Sequence, residues 1–286
     1  MRFGQRLAGL GATLSATLLA GAVAAQDGIA QLPIVGAPHP EGIGFQPAAT
    51  VTAREQQWLD HMLMILCAAV VALVMVLLLI SIVRFNSRAN PTPARFTHNT
   101  PLEIAWTLIP VLILVVLGSF SLPVLFKQEE IPAADVHLKV TGNQWFWSYE
   151  YPDEGISFDA FMLGREDLEA AGYTADEYRL AADNAVVIPV DKNVVVDVTA
   201  SDVIHAWYIP AFNVQHSAVP GRIGQLWFRA EKEGVYFGQC TTLCGKDHAY
   251  MPITVKVVSQ QVYDDWVARS KTAGLGTSAA VRVASN

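Results

Sequence analysis

The sequence predicts a membrane protein of mixed α and β class, with a two-helix transmembrane hairpin followed by a β-sandwich or barrel domain. Three observations support this class. Hydrophobic residues make up 52% of the 286 residues and charged residues only 16%, which is too apolar for an ordinary soluble protein. Two uncharged runs, at residues 62–83 and 104–126, are each long enough to cross a bilayer. After residue 131 the apolar runs become short and alternating, as in β-strands.

Residues 1–25 are predicted to be a secretory signal peptide. Arg2 and Arg6 provide the positive start, residues 7–20 the apolar middle, and the small residues at 22–25 a cleavage site. A first transmembrane helix is the alternative, which the short length and the Gly, Thr and Ser content disfavour. Residues 26–57 are rich in Pro and Gly, so they are predicted to be an extended segment outside the membrane.

The two spans are predicted at residues 58–84 and 102–127. Trp58 marks a membrane interface at the start of the first span, and Arg84 ends its apolar run. The second span contains two prolines, Pro110 and Pro123, which spans tolerate where neighbouring groups satisfy the backbone.

The connection at residues 85–101 is predicted to be cytoplasmic. Arg84, Arg88 and Arg95 lie in or beside it, and no acidic residue occurs before Glu103, so the positive-inside rule applies. Both termini and the β-domain then lie on the outer, periplasmic side of a bacterial inner membrane. The signal peptide predicts the same orientation independently.

A β-domain is predicted over residues 131–259. Its strand-like runs are residues 136–140, 145–151, 185–190, 194–200, 225–229, 235–238 and 253–258. An acidic, helix-like insertion is predicted at residues 165–182. A short amphipathic helix is predicted at residues 260–271, and residues 272–286 are small and polar, as in disordered tails.

Soft metal ligands are concentrated in one stretch, residues 238–252, which reads GQCTTLCGKDHAYMP. It contains Cys240, Cys244, His248 and Met251, and thiolate, imidazole and thioether together suit copper better than hard cations. A second cysteine allows two thiolates to bridge two copper ions. One more imidazole has to come from elsewhere, and His205 is the best candidate because it follows the predicted strand 194–200 and opens a loop.

A disulfide and a zinc site both remain open as alternatives for the cysteine pair. Two cysteines in an oxidising compartment often form a disulfide. Zinc could bind the cysteines and histidines, although Met251 would be a poor zinc ligand. The third cysteine, Cys67, lies within an apolar run and is predicted to be a small hydrophobic residue.

Several stretches resemble subunit II of the bacterial and mitochondrial haem–copper cytochrome c oxidases. They are RFTHNTP at residues 95–101, QWFWSYEY at 144–151, DVIH at 202–205, VPGR at 219–222 and the stretch at 238–252. The resemblance covers nearly all of the mature chain. It implies two helices packed on a catalytic subunit and a cupredoxin domain on the outer face of the membrane.

The resemblance also implies the cofactor and the reaction. A dinuclear CuA centre would accept electrons from cytochrome c and pass them to the haem and copper centres of subunit I. In an aa3-type oxidase, O₂ reduction there is coupled to proton translocation, and subunit III is a further partner. The implied copper ligands are His205, Cys240, Cys244, His248, Met251 and the backbone carbonyl of Thr242.

The chain departs from the family at the position between the two cysteines. The family usually has a glutamate there, whose carboxylate binds a magnesium ion shared with the catalytic subunit. Thr242 can still supply a carbonyl to copper, but its hydroxyl is a weaker ligand for a hard cation. The residues Gln215-His216-Ser217 and Lys246-Asp247 are also unusual. These departures suggest a divergent paralogue with an altered or absent magnesium site.

The resemblance assigns roles to further residues. Trp145 would receive the electron from cytochrome c, with Phe146 in place of the usual tyrosine beside it. Glu103 would mark the mouth of a proton pathway, although an acid at a helix start is also favoured by the helix dipole alone. The acids that match the family's docking patch for cytochrome c are Glu150, Asp159, Asp183 and Asp202. Scattered acids on a β-domain are more often merely solvated.

Three further functional classes fit the sequence less well than an electron-transferring oxidase subunit. A net charge of −7 without a basic block excludes a nucleic-acid-binding protein. A quinol-oxidase-type subunit would carry no copper, and the intact Cys240, Cys244, His248 and Met251 argue against it. A copper carrier or sensor would favour an exposed, exchangeable site, which two spans and a rigid β-domain fit poorly.

Overall fold

The fold is described from a computed structural model, which covers residue 29 and residues 32–272. The chain divides into two compact units. One unit comprises residues 51–130, and the other comprises the described parts of residues 1–50 and 131–286. The predicted signal peptide and the tail beyond Thr272 lie outside the described residues.

The first unit is a pair of long apolar helices, α1 (Val51–Arg84) and α2 (Thr100–Glu129). Their most apolar 18-residue windows have mean hydropathies of 3.3 and 2.6, so both helices are long and apolar enough to cross a membrane. Two contacts join them: Trp58 meets Phe120 edge-to-face at 5.5 Å, and Lys127 pairs with Glu55 at 2.6 Å. The helix α1 begins seven residues before the predicted span.

The start of α2 is capped by its own side chains. The Asn99 side chain accepts a hydrogen bond from the Leu102 amide, and the Glu103 carboxylate accepts one from the Asn99 amide at 3.0 Å. Both bonds satisfy donors that a helix start leaves free. The helix then continues through Pro110 and Pro123.

The second unit is a two-sheet β-domain, as the alternating runs predict. Its strands are β1 (Ile34–Gly36), β2 (Val136–Asn143), β3 (Phe146–Tyr151), β4 (Ile156–Ala160), β5 (Val186–Pro189), β6 (Val194–Ala200), β7 (His205–Ile209), β8 (Val214–Ala218), β9 (Gly224–Phe228), β10 (Gly234–Cys240) and β11 (Pro252–Val258). One sheet has the order β5-β11-β10-β7-β8, with β1 parallel to β10, and the other has the order β4-β3-β2-β6-β9.

The core of the domain consists of aromatic and β-branched side chains from both sheets. The largest fully buried side chains include Trp147 and Tyr149 from β3, and Trp207 from β7. The Trp207 indole donates to the Tyr149 hydroxyl at 3.4 Å across the core. The helix α3 (Gln260–Thr272) packs on this core through Tyr263 and Trp266.

The predicted helix in the insertion at residues 165–182 is wrong. This segment forms turns, with a single 3₁₀ turn at Ala175–Glu177. Its few apolar side chains, including Leu168 and Tyr173, instead join a small cluster with Val235 and Phe237 of β10. They are too few to form the continuous apolar stripe that a surface helix buries.

The segment at residues 26–57 was predicted to be extended throughout. Its described part instead includes β1 and the first turns of α1. Between them, the Ala49 amide donates to the Ala211 carbonyl, and the Ala49 carbonyl accepts from the Glu231 amide. These bonds attach the N-terminal segment to the β-domain.

Candidate metal centre

The cysteine-containing loop lies between β10 and β11, and His205 comes from the neighbouring strand. Cys240 is the last residue of β10 and pairs with Trp207 of β7, which begins at His205. The prediction that His205 opens a loop is therefore wrong, since it begins a strand. Antiparallel pairing of β7 with β10 nevertheless brings its side chain to the end of β10.

The side chains of the predicted ligands converge on the two sulfurs. Cys240 Sγ lies 3.9 Å from both His205 Nδ1 and Cys244 Sγ. Cys244 Sγ lies 3.6 Å from His248 Nδ1 and 3.5 Å from Met251 Sδ. The ligand atoms of His205, Cys240 and Cys244 all lie within 4.8 Å of one another. Five soft ligands therefore surround one small volume.

The two sulfurs are not bonded to each other, because 3.9 Å is far beyond the roughly 2.0 Å of a disulfide. Burial raises the pKa of Cys244, and the neighbouring sulfur of Cys240 raises it further. Burial also acts to raise the pKa of Cys240, but hydrogen bonds, above all from His205, outweigh it and lower that pKa. Two adjacent thiolates therefore need an added positive charge, and soft copper ions fit this ligand set.

Thr242 places its backbone carbonyl in the same cluster. This oxygen lies 3.3 Å from Cys240 Sγ, so a carbonyl is available as a sixth ligand. The side chain of Thr242 is half-buried. No acidic residue occurs in the chain between Glu233 and Asp247, so this stretch offers no carboxylate of the kind that binds magnesium.

His205 is held in a fixed orientation from both sides. Its Nε2 lies 2.9 Å from the Asp202 carboxylate, which leaves Nδ1 facing Cys240. Its ring is fully buried and meets Trp147 edge-to-face at 5.9 Å. A Cβ at Gly142 would lie only 2.9 Å from this ring, so the close packing requires a glycine there.

Asp202 therefore contacts a predicted copper ligand, whereas the sequence suggested a docking acid. Partial burial acts to raise its pKa, but hydrogen bonds from His205, Val203 and Gln144 together lower it. The Gln144 amide donates to this carboxylate at 2.7 Å, and the Gln144 side chain donates to the Cys244 carbonyl at 2.8 Å. Sequence reasoning missed Gln144, since a lone amide side chain beside a tryptophan carries no spacing signal.

Trp145 lies directly against the cysteine loop. Its half-buried indole donates to the Cys244 carbonyl at 3.3 Å. Gly245 has a φ of +133° and packs under the ring, where an added Cβ would lie 2.9 Å from the indole. One hydrogen bond therefore separates Trp145 from the backbone of a predicted copper ligand.

The other predicted docking acids lie on or beside β3 and β4, and each has a partner. Glu150 pairs with Lys139 at 2.7 Å. Asp159 accepts a hydrogen bond from Ser148 at 2.6 Å, and Asp183 accepts one from the Phe161 amide at 2.7 Å. Asp159 and Asp183 remain exposed. Glu103 belongs to the helical unit, at the N-terminal turn of α2.

Comparisons with known proteins find similar sequences over most of the chain. The profile of the family described as "Cytochrome C oxidase subunit II, periplasmic domain" matches residues 136–258, and that of the corresponding transmembrane domain matches residues 38–124. The cytochrome c oxidase subunit 2 of Cereibacter sphaeroides is 52% identical over 285 residues, covering 95% of this chain and 93% of the relative.

Two further comparisons extend the similarity. A probable cytochrome c oxidase subunit 2 from Rickettsia bellii is 43% identical, covering 84% of this chain and 88% of the relative. The chain in the crystal structure of the periplasmic domain of subunit II of cytochrome oxidase from Bradyrhizobium japonicum has 44% sequence identity to this protein. It covers 50% of this chain and 99% of that chain, with a TM-score of 0.46.

Proposed function

The chain belongs to the cytochrome c oxidase subunit II family, and from this premise we propose that it is the electron-accepting subunit of an aa3-type oxidase. It would receive electrons from cytochrome c and pass them to the haem and copper centres of subunit I, with subunit III as a further partner. Reduction of O₂ to water in that complex would be coupled to proton translocation.

The observation that carries the proposal is the convergence of His205, His248 and Met251 on the sulfurs of Cys240 and Cys244. These five side chains and the Thr242 carbonyl would hold two copper ions. The bound copper pair would supply reversible one-electron transfer. Burial of the cysteines keeps water from the ligands, and the β-scaffold holds them rigidly, which limits reorganisation.

Trp145 would be the residue at which the electron arrives. Its hydrogen bond to the Cys244 carbonyl supports this role, because it links an accessible ring to the ligand loop through few atoms. The exposed acids Asp159 and Asp183 would attract a basic donor, while Glu150 is partly neutralised by Lys139. Asp202 would act mainly by orienting His205.

The proposed membrane arrangement is supported by the charge pattern. Both termini and the β-domain would lie in the periplasm, with the arginine-containing connection between α1 and α2 in the cytoplasm. Glu103, at the cytoplasmic start of α2, would then stand at the mouth of a proton pathway into subunit I.

The proposal is tested on the purified oxidase complex. We expect two copper ions per copy of this chain, beyond the copper of subunit I, and an electron paramagnetic resonance signal shared equally over two nuclei. The variant Trp145→Phe should retain this signal, but cytochrome c should reduce its copper centre at least tenfold more slowly than that of the parent. A chain without copper, or a signal from a single copper ion, would refute the proposal.

The interfacial magnesium ion of the family does not fit this chain. The residue between the cysteines is Thr242, and no acidic residue lies between Glu233 and Asp247 to replace the usual carboxylate at this position. We therefore expect the purified complex to lack a full equivalent of tightly bound magnesium at this interface. Metal analysis after dialysis against a chelator measures it, and one retained equivalent contradicts the expectation.

The alternative role, as a structural subunit of a quinol oxidase without copper, is not supported by the site. Such a chain would not need two histidines and a methionine placed around two buried cysteine sulfurs. Oxidation of soluble cytochrome c by the purified complex, compared with oxidation of a quinol, separates the two functions.

A further inference from the structure

Lys246 lies over the ring of Trp145. Its ammonium nitrogen is 5.6 Å from the ring centroid, within the range of a cation–π contact. The Lys246 side chain is 78% exposed. Its nearest acid is Asp247, whose carboxylate lies 3.7 Å away and is itself 42% exposed, so solvent weakens the pair. An exposed cation therefore stands beside the residue at which the electron would arrive.

The surroundings of Trp145 show a distinct distribution of charge. Phe146 stacks on Phe161 with ring centroids 4.5 Å apart, and Phe161 is 46% exposed. The Phe161 amide donates to Asp183, and the Asn184 side chain donates to the Asp159 carbonyl. The exposed acids Asp159 and Asp183 are thus linked to the backbone around Phe161, whereas Lys246 lies over Trp145. We call Trp145, Phe146 and Phe161 the donor face.

We propose that Lys246 is a charge-selecting residue of this donor face: it disfavours a cationic group of the electron donor at Trp145 and favours a neutral or acidic group there. The inference rests on the proposed role of Trp145. A basic donor would place its cations against Asp159 and Asp183, and its uncharged haem rim against the aromatic rings. Like charges at contact distance oppose any other placement.

A purely local role for Lys246 makes a different prediction. If the lysine only stabilises the Trp145 ring through the cation–π contact, its removal would affect all donors equally. A charge-selecting residue instead changes the preference between donors that differ only in charge. Binding should therefore be compared between native cytochrome c and cytochrome c with acetylated lysines.

The experiment uses the purified oxidase complex carrying Lys246→Met, which keeps most of the side-chain length but removes the charge. Equilibrium Kd values for both donors are measured by titration calorimetry at low ionic strength. Both donors are used in the oxidised form, so that no electron is transferred during the titration. We expect about two- to threefold tighter binding of native cytochrome c, the size of one exposed charge acting over several ångströms of water. Acetylated cytochrome c, whose modified lysines are uncharged, should bind the variant no more tightly than the parent.

Two further variants complete the test. Lys246→Glu should increase the preference for the native donor beyond that of Lys246→Met. Lys232→Met is the control, because Lys232 is exposed at the opposite end of β10 from Cys240, roughly 20 Å away at strand spacing. This control should leave both Kd values unchanged.

The outcomes separate this inference from the proposed function. An unchanged ratio of the two Kd values in Lys246→Met, or weaker binding of native cytochrome c, overturns the role of Lys246. Because both donors are titrated into one preparation, partial misfolding cannot mimic a change in the ratio. The variant Trp145→Phe is measured in parallel to test the premise. If cytochrome c reduces the copper centre of this variant as fast as that of the parent, the proposed role of Trp145 fails instead.

Discussion

At the scale of single residues, the three cysteines of this chain have very different surroundings. Cys240 and Cys244 are buried among imidazole and thioether groups, whereas Cys67 is exposed on the apolar helix α1. A buried sulfur with three soft neighbours can bind a metal, whereas an exposed thiol on an apolar helix has no such neighbours. The environment, and not the residue type, separates their roles.

The variant Cys244→Ser should therefore lose the copper pair. The sulfur of Cys244 faces Cys240, His248 and Met251, and a serine hydroxyl neither bridges copper nor deprotonates readily. Copper analysis of the complex should show at most one copper ion in this chain and no signal shared over two nuclei. Cys67→Ser is the matched control and should retain both ions, and retention in Cys244→Ser would contradict the site.

A substitution at Gly142 tests the close packing around His205. In Gly142→Ala the new methyl group would lie 2.9 Å from the His205 ring, which is fully buried and cannot move freely. We expect a loss of about 1–3 kcal/mol in the free energy of unfolding, as is usual for overpacking, and an altered copper spectrum. Denaturant unfolding and absorbance measure these effects. Gly44→Ala, which meets no atom within 4 Å, should cause neither effect.

At the scale of elements, the start of α2 combines a structural and a proposed functional role in Glu103. Its carboxylate accepts a hydrogen bond from the Asn99 amide, and a glutamine oxygen could accept the same bond. Glu103→Gln should therefore preserve the helix while removing the charge. We expect slower proton uptake with unchanged copper content, measured by stopped-flow pH-indicator absorbance. Turnover equal to that of the parent would restrict Glu103 to helix capping.

A buried tyrosine, Tyr151, forms one of the hydrogen-bonded links between the two sheets. The Tyr151 hydroxyl, on β3, donates to the Val187 carbonyl at 2.9 Å and accepts from the Val187 amide at 3.0 Å, on β5. Because β5 is an edge strand, this hydroxyl satisfies backbone groups that face away from β11. The bonds thus connect an edge of one sheet to a strand of the other.

The variant Tyr151→Phe should lower the free energy of unfolding by about 1–3 kcal/mol, since it leaves two buried backbone groups without a partner. Denaturant unfolding of the full chain, followed by tryptophan fluorescence, measures the change. Tyr208→Phe is a suitable comparison, because the Tyr208 hydroxyl makes no hydrogen bond to any described residue. Equal stability of the two variants would show that the Tyr151 bonds contribute little.

At the scale of the whole molecule, the chain is acidic, with a net charge of −7 and a pI near 5.5. In the proposed arrangement, a negatively charged β-domain would speed the encounter with a basic donor, and salt screens this attraction over about 10 Å at 0.1 M. Turnover with soluble cytochrome c should therefore fall as ionic strength rises, with the change in KM larger than that in kcat. A turnover rate independent of salt would count against electrostatic docking.

The β-domain illustrates how far the sequence could predict the fold. Each of the seven predicted strand-like runs overlaps a strand and extends past it by at most one residue at either end, because each is an alternating or β-branched run between turn residues. The strands β1, β4, β7 and β8 were missed, since segments such as VQHSA carry no clear apolar alternation. Their pairing is decided by neighbouring strands, which a local pattern does not contain.

The candidate metal centre was also predicted only in part from the sequence. Residue type and spacing grouped Cys240, Cys244, His248 and Met251 as candidate ligands, because all four lie in one short loop. The orienting contact of Asp202 with His205 and the contact of Gln144 with the Cys244 carbonyl were not predicted, since the first depends on where the side chains point and the second joins residues 100 positions apart. Such contacts leave no periodic signal in the chain.

The sequence by itself therefore determined the two apolar helices, the β-class of the second domain and the residue types of the cysteine-containing loop. These depend on local composition and spacing, which act over a few residues. Tertiary structure alone decided that β7 lies against β10, so that His205 reaches Cys240, and that Lys246 lies over Trp145. Those contacts arise from strand pairing and loop packing between distant segments, so only the folded chain specifies them.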